Sequence, residues 1–228
     1  LPTVVNYAKV KFVPEDYKTI VDLLNLDKDS IITDIQSLIN FLEKVVEFGI
    51  ADYFETGDMS IVGLDDLFKG NTNLININAS NWNTSNITSL RYTFSGMKNL
   101  ESVDIADWDV SNVTNFLGMF YDSGKLKNVD ISKWDTSKST DFTWFFYCCS
   151  SLQQLDVSNL KTQNCSKFGA MFGSCFALTQ LDVSNFDMSA ASDCQAMFSY
   201  CFNLTSLDIS NFDLSNAKDV SYMFAETS

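Results

Sequence analysis

The sequence predicts an α/β fold: a right-handed solenoid of strand-turn-helix coils stacked through a parallel sheet, with a helical cap at its N-terminal end. Three observations predict it. A leucine, two polar residues, an aliphatic residue and usually Asp return every 26 positions, at Leu74, Leu100, Leu126, Leu152, Leu178 and Leu204, with nothing inserted or deleted between them. Phenylalanine holds one position throughout, at Phe94, Phe120, Phe146, Phe172, Phe198 and Phe224. Within each repeat the apolar spacing changes from two to three and four. A period kept this strictly means like coils in register, because one insertion in the core would displace every ladder built on it.

The strand comes first in each coil. In Leu152 to Ser158, Leu155 and Val157 share one face while Gln154, Asp156 and Ser158 share the other, the alternation of a half-buried strand. A turn comes next, as in Asn185-Phe186-Asp187-Met188-Ser189, where Asp and Ser side chains bond nearby backbone N–H groups. The corner position reads Trp82, Trp108, Trp134, Leu160, Phe186 and Phe212 and is expected to point inward. A short helix is expected to close the coil: Val113, Phe116, Met119 and Phe120 fall at helical spacing, and Ala191, Cys194, Met197 and Phe198 repeat the pattern. The phenylalanine column inside this return is expected to be a core ladder of packed rings.

Residues 1–56 are expected to form the N-terminal helical cap and residues 57–228 the solenoid, made of a degenerate half-coil at 57–73 and six repeats from 74. Lys9 to Val13 has the content of a strand, Pro14 suits the first turn of a helix, and a second helix is expected from Ser30 to Phe48 with Gly49 as its stop. No equivalent cap is visible after Phe224, which reads as a piece of a longer array, with a terminus covered by a partner as the alternative.

Composition excludes several classes of function. A net charge of −14 with 15 basic residues argues against nucleic acid or an anionic membrane surface as partner. No apolar run reaches the length of a membrane span, and no leader is visible. The chain has no histidine, which removes the usual general base, the Ser-His and Cys-His pairs and the commonest metal ligand. There is no C-x-x-C, no phosphate-binding glycine loop and no calcium loop, so neither cofactor nor metal is expected. Cys149, Cys175 and Cys201 share one column; they read as a reduced buried ladder, with a disulfide between rungs as the rival.

Two sets of residues are candidates for binding. The first is an aspartate column, Asp104, Asp130, Asp156, Asp182 and Asp208, on the outer face of the strand. Carboxylates one rung apart repel by about 0.8 kcal/mol per pair in water, so something must relieve them. Hydrogen bonds from serine or backbone of a neighbouring coil, a partner's basic surface and a row of Ca²⁺ ions all answer, though one carboxylate per rung falls short of the oxygens calcium takes. The column also contains formal glycosidase pairs, but its rungs are alike and none is marked as acid or nucleophile. The second set is where the columns vary: Tyr121, Trp144, Tyr147 and Tyr200, with Tyr92, Phe202 and Tyr222, stand on the outer return, and exposed Tyr and Trp anchor protein interfaces. Six N-x-S/T sequons, at Asn78, Asn83, Asn86, Asn112, Asn164 and Asn203, come from a composition rich in Asn, Ser and Thr.

The segments Trp108-Asp-Val-Ser-Asn-Val-Thr-Asn-Phe-Leu-Gly-Met-Phe120 and Leu178-Thr-Gln-Leu-Asp-Val-Ser-Asn-Phe-Asp187 resemble the repeats of BspA-like leucine-rich-repeat surface proteins and the related mycoplasma-type repeats of unknown function. The resemblance covers about residues 57 to 228, departing at Phe145, where Met is usual, and at Leu160-Lys161, where an aromatic residue and Asp are. It implies a leucine-rich-repeat-like solenoid and a secreted or cell-surface protein that binds host proteins or other cells, and it supplies no catalytic residues. The expected function is therefore a non-enzymatic scaffold for adhesion, recognising a protein ligand. The alternatives are a passive spacer or coat module and a calcium-stabilised array.

Overall fold

The computed structural model of the chain describes residues 63–80 and 82–227. The chain divides into two compact units, Leu1–Ile61 and Val62–Ser228, and the described residues all belong to the second. The N-terminal cap expected over residues 1–56, with its strand and two helices, lies outside the described residues, as do residues 57–62 of the half-coil.

Each leucine segment keeps its alternation. Leu155 and Val157 are buried while Gln154 and Asp156 face solvent. A regular ladder forms only once among the described residues: β1 (Asn76–Asn78) and β2 (Ser102–Asp104) pair in parallel, with Asn76 opposite Ser102, Ile77 opposite Val103 and Asn78 opposite Asp104. A second line of parallel bridges runs at the start of the return, from Gly63 through Ser89, Asn115, Asp141, Lys167 and Asp193 to Asp219. Every step along it is 26 residues, so neighbouring repeats lie side by side in unbroken register.

The return departs from expectation, since no α-helix is present among the described residues. In the second repeat the N–H groups of Phe116, Gly118, Phe120 and Asp122 donate to the carbonyls of Asp141, Thr143, Phe145 and Tyr147 in the next repeat, at 2.9, 2.8, 3.0 and 2.7 Å. The alternate N–H groups, of Met119, Tyr121 and Ser123, close turns on Phe116, Gly118 and Phe120 at 3.1, 3.0 and 3.1 Å. Half of the amides thus bond the neighbour and half bond their own turn, leaving none for the i to i−4 bonds of a helix. The third residue of two successive turns is left-handed, Gly118 at φ 59° and Asp122 at φ 60°, as a type II turn requires.

These left-handed positions recur as two columns. One contains Asp66, Tyr92, Gly118, Trp144, Ala170, Ala196 and Tyr222, and the other Gly70, Gly96, Asp122, Cys148, Ser174, Tyr200 and Glu226, all at φ between 48° and 73°. Most are not glycine, at about 1–2 kcal/mol of strain for each residue with a Cβ. From Asp66 to Tyr200, bonds to the next repeat hold them there.

Matching rings fill the interior up to Phe198, while the last ring of the column, Phe224, stacks on the row but is 42 % exposed and not core as expected. From Phe68 through Phe94, Phe120, Phe146, Phe172 and Phe198 to Phe224, consecutive centroids stand 5.3 to 6.2 Å apart and no two neighbouring planes differ by more than 13°. The corner tryptophans are buried, and the indole N–H groups of two of them reach back one repeat: Trp108 Nε1 donates to the Ala79 carbonyl at 2.9 Å and Trp134 Nε1 to that of Ile105 at 3.2 Å. That bond lets a polar ring sit inside. All six cysteines are free thiols, and Cys149, Cys175 and Cys201 each donate to a phenylalanine carbonyl of the preceding repeat at 3.2 Å.

Candidate binding groove

The outer face of the return is set by columns that differ from repeat to repeat. Down the first left-handed column the side chains run Tyr92, Gly118, Trp144, Ala170, Ala196, Tyr222. Trp144 and Tyr222 therefore stand at the same position three repeats apart with only two methyl groups between them. Three steps of a strand-like stack span about 14 Å, and the missing side chains leave a notch of that length.

Aromatic neighbours make the notch a groove. Tyr121 and Tyr147 stack at 5.5 Å and 15°, Trp144 tilts against Tyr121 at 5.8 Å, and Tyr200 enters from the second left-handed column. Together with Tyr222 they surround an open space of about 480 Å³ floored by Ala170, Ala196 and Ser199. Trp144 is 40 % exposed, Tyr200 46 % and Tyr222 71 %, whereas Tyr121 and Tyr147 are half-buried. Burial raises the Tyr147 phenol above its ordinary range. Its ring lies low because the next repeat offers Gly173 at the same position.

The four aromatic residues singled out from the sequence thus line one groove, and Tyr222 joins them. Tyr92 stands apart, edge-on to Tyr121, with Lys69 Nζ 4.4 Å and Arg91 5.9 Å from its centroid. Phe202 stacks on Phe176 at 5.4 Å and meets Tyr200 edge-on at 5.9 Å. Phe176, 40 % exposed, escapes a reading of the sequence because it precedes the next leucine segment and looks like core. The alanine floor escapes it too, since a missing side chain signals only when a column is compared with itself.

The aspartates are placed differently. Asp104, Asp130, Asp156, Asp182 and Asp208 are all exposed and none lines the groove. Relief of their charge comes from within the same repeat, not from a neighbouring coil. The Oδ1 of Asp130, Asp156 and Asp182 accepts both the N–H and the hydroxyl of the serine two residues on, at 3.0 and 2.7 Å, and Asp208 accepts the Ser210 N–H at 2.9 Å. These are Asx-turns, a short-range motif that is satisfied before any neighbour is needed. The serine bonds hold the carboxyls of Asp130, Asp182 and Asp208 below the ordinary range. Asp104 is followed two residues on by Ala106 and has no such serine. Among the described residues no three carboxylate or thiol side chains converge as a metal site would need.

Charge is distributed unevenly. In residues 63–167 eleven carboxylates face nine basic residues, and cross-repeat ion pairs join them: Lys127 to Glu101 and Lys133 to Asp107 at 2.6 Å, Lys167 to Asp141 at 3.2 Å, and Lys98 to Asp122. In residues 168–228 seven carboxylates face Lys218 alone.

Comparison with known proteins gives one family: that described as Mycoplasma protein of unknown function, DUF285, matches residues 36–155 and again 125–228. No curated protein and no solved structure matches the chain. No helix among the described residues is long and apolar enough to cross a membrane.

Proposed function

The chain belongs to the DUF285 family of Mycoplasma proteins of unknown function, and on that footing we propose that it is a non-enzymatic binding scaffold of the BspA-like leucine-rich-repeat kind, a solenoid displayed at a cell surface or secreted, whose return face recognises a protein ligand. One observation carries this reading: Tyr121, Trp144, Tyr147 and Tyr200, the variable aromatics of the outer return, meet on one open groove over alanine. Aromatic rings with large exposed faces contribute contact area at small entropic loss and recur as interface anchors. The uniform aspartate and phenylalanine columns serve the stack, and the variable positions carry selectivity.

The test is saturable binding of the purified chain to extracellular-matrix proteins and to host cells, compared with a variant carrying Trp144→Ala, Tyr147→Ser and Tyr200→Ser. These substitutions place at each position a residue that another repeat already holds there: Ala170, Ser199 and Ser174. Binding that falls at least about tenfold, the effect of one lost anchor, supports the reading. Saturable binding that the substitutions leave intact, or no binding at all, overturns it and leaves a passive spacer.

A further inference from the structure

We infer that the groove between Trp144 and Tyr222 captures arginine and lysine side chains of a basic polypeptide, held over the ring faces within an acidic surround. The inference rests on the protein-binding reading and names the chemistry of the partner.

The molecule already makes this contact with itself. Tyr92 occupies the same column as Trp144 and Tyr222, and its ring is covered by Lys69 and Arg91 from adjoining positions. Those adjoining columns lose their charge further along: Arg91 gives way to Leu117, Thr143, Gly169, Gln195 and Ser221, and Lys69 to Ser95, Tyr121, Tyr147, Gly173, Ser199 and Ala225. No cation stands over Trp144 or Tyr222 among the described residues. The rings that are left uncovered are those beside the notch.

Charge points to the same occupant. The groove's floor and its Tyr200 and Tyr222 side lie in the stretch where seven carboxylates face one lysine, and Tyr121, Trp144 and Tyr147 border that stretch. Glu226 comes after Tyr200 in its column, and Asp193 and Asp219 precede the lining residues Gln195 and Tyr222. Serine bonds keep Asp219 ionised. A ring face attracts a cation through its quadrupole, and a net negative field raises the local concentration of basic segments. An anionic partner meets repulsion here, and a neutral one gains nothing from the carboxylates.

The experiment titrates the protein with an oligoarginine peptide and with the matching citrulline peptide, which keeps the shape and loses the charge. Trp144 is the reporter, since its fluorescence is exposed to ligand while Trp82, Trp108 and Trp134 are 6 %, 3 % and 2 % exposed; calorimetry serves for variants that lack it. The arginine peptide should bind saturably and the citrulline peptide at least about tenfold more weakly. Trp144→Ala with Tyr200→Ser should weaken the arginine peptide by a similar factor, Trp144→Tyr should restore most of the binding, and Asp109→Asn, in another part of the fold, should change it less than about twofold. Equal binding of the two peptides overturns the inference. So does arginine binding that salt abolishes but ring substitution does not touch, which is diffuse attraction, and so does ring-dependent binding of a neutral oligosaccharide in place of the peptide. If the arginine peptide fails while matrix or cell binding persists and still needs Trp144, the cationic partner is wrong and the protein-binding reading stands; if both fail, both fall.

Discussion

Tyr147 lies across Gly173, the residue one repeat on at its own position, so closely that a Cβ added to Gly173 would stand 3.0 Å from Tyr147 Cδ2. Gly173 is not left-handed, so the constraint there is the ring above it and not the backbone. Gly173→Ala should therefore fold, lose about 1 kcal/mol to overpacking, and lift Tyr147 out of its seat. Ring proton shifts of Tyr147 in an NMR spectrum check this; unchanged shifts would show that the ring does not rest on the glycine. Gly118→Ala should be worse, because φ there is 59° and the new methyl overlaps the ring of Tyr92.

Ala170 and Ala196 are left-handed at φ 48° and 55°, where a Cβ is strained and glycine is not. Glycine also gains freedom in the unfolded chain, which offsets part of the benefit. Each Ala→Gly substitution should leave a net gain of about 0.5–1 kcal/mol, read as a rise of about 1–4 °C in Tm. A fall in Tm would mean that the left-handed column is not strained.

Phe146 stacks between Phe120 and Phe172 with no exposed surface. Phe146→Ala should cost about 3–5 kcal/mol. Because each repeat touches mainly its neighbours, hydrogen exchange should quicken first at the amides of Phe120, Phe146 and Phe172 and least near Phe68.

Burial pushes Cys165 up to about 12 and Cys194 and Cys201 to about 11, from an ordinary 9.0, and raises Cys149 and Cys175 also. The folded state keeps these protons longer than the unfolded chain does, so their contribution to stability is whole below about pH 9 and lost as pH rises toward 11 and 12. Urea midpoints should fall across that range, less steeply in Cys175→Ala. At pH 8 the five buried thiols should react with a thiol reagent only as the protein unfolds.

The carboxyls of Asp130, Asp182 and Asp208 lie below their ordinary value because serine bonds them in the folded state. Their contribution is present above the ordinary carboxylate pKa and lost as pH falls through the lowered folded one, so Tm should drop on acidification below about pH 4. Ser184→Ala should soften that drop. Calcium or a chelator should leave Tm unmoved, since the Oδ1 of Asp130, Asp156, Asp182 and Asp208 already accepts the bonds of its own turn and one carboxylate per rung falls short of the oxygens calcium takes; a calcium-dependent rise would restore the aspartate column as a cation site.

Much of the arrangement is legible in the sequence because it repeats. The 26-residue step, the phenylalanine ladder and the inward corner tryptophans come from identical residues at identical positions, and the variable aromatics come from where identity fails. The return is misleading for a definite reason. Four-residue turns placed end to end carry Phe116 and Phe120 inward four apart, the same spacing that a helix gives. Signs against a helix are present in Gly70, Gly96 and Gly118, which mark the left-handed columns, but Trp144, Ala170 and Tyr200 stand at the same positions and hide them. The aspartates suggest a bond to a neighbouring coil because their column is conspicuous, while the serine two residues on, which supplies the bond, looks like a mere companion.

The alternation of amides in the return has a consequence for what this gene can tolerate. Even-numbered donors from Leu64 to Gly70 face across to the next repeat, and odd-numbered ones fold back; an even period passes that parity on unchanged. Duplication or loss of a whole unit conserves it. A single inserted residue within a return exchanges the two sets, leaving donors that should cross pointing home, so lineages carrying this sequence are expected to vary in the number of units and hardly at all in their length.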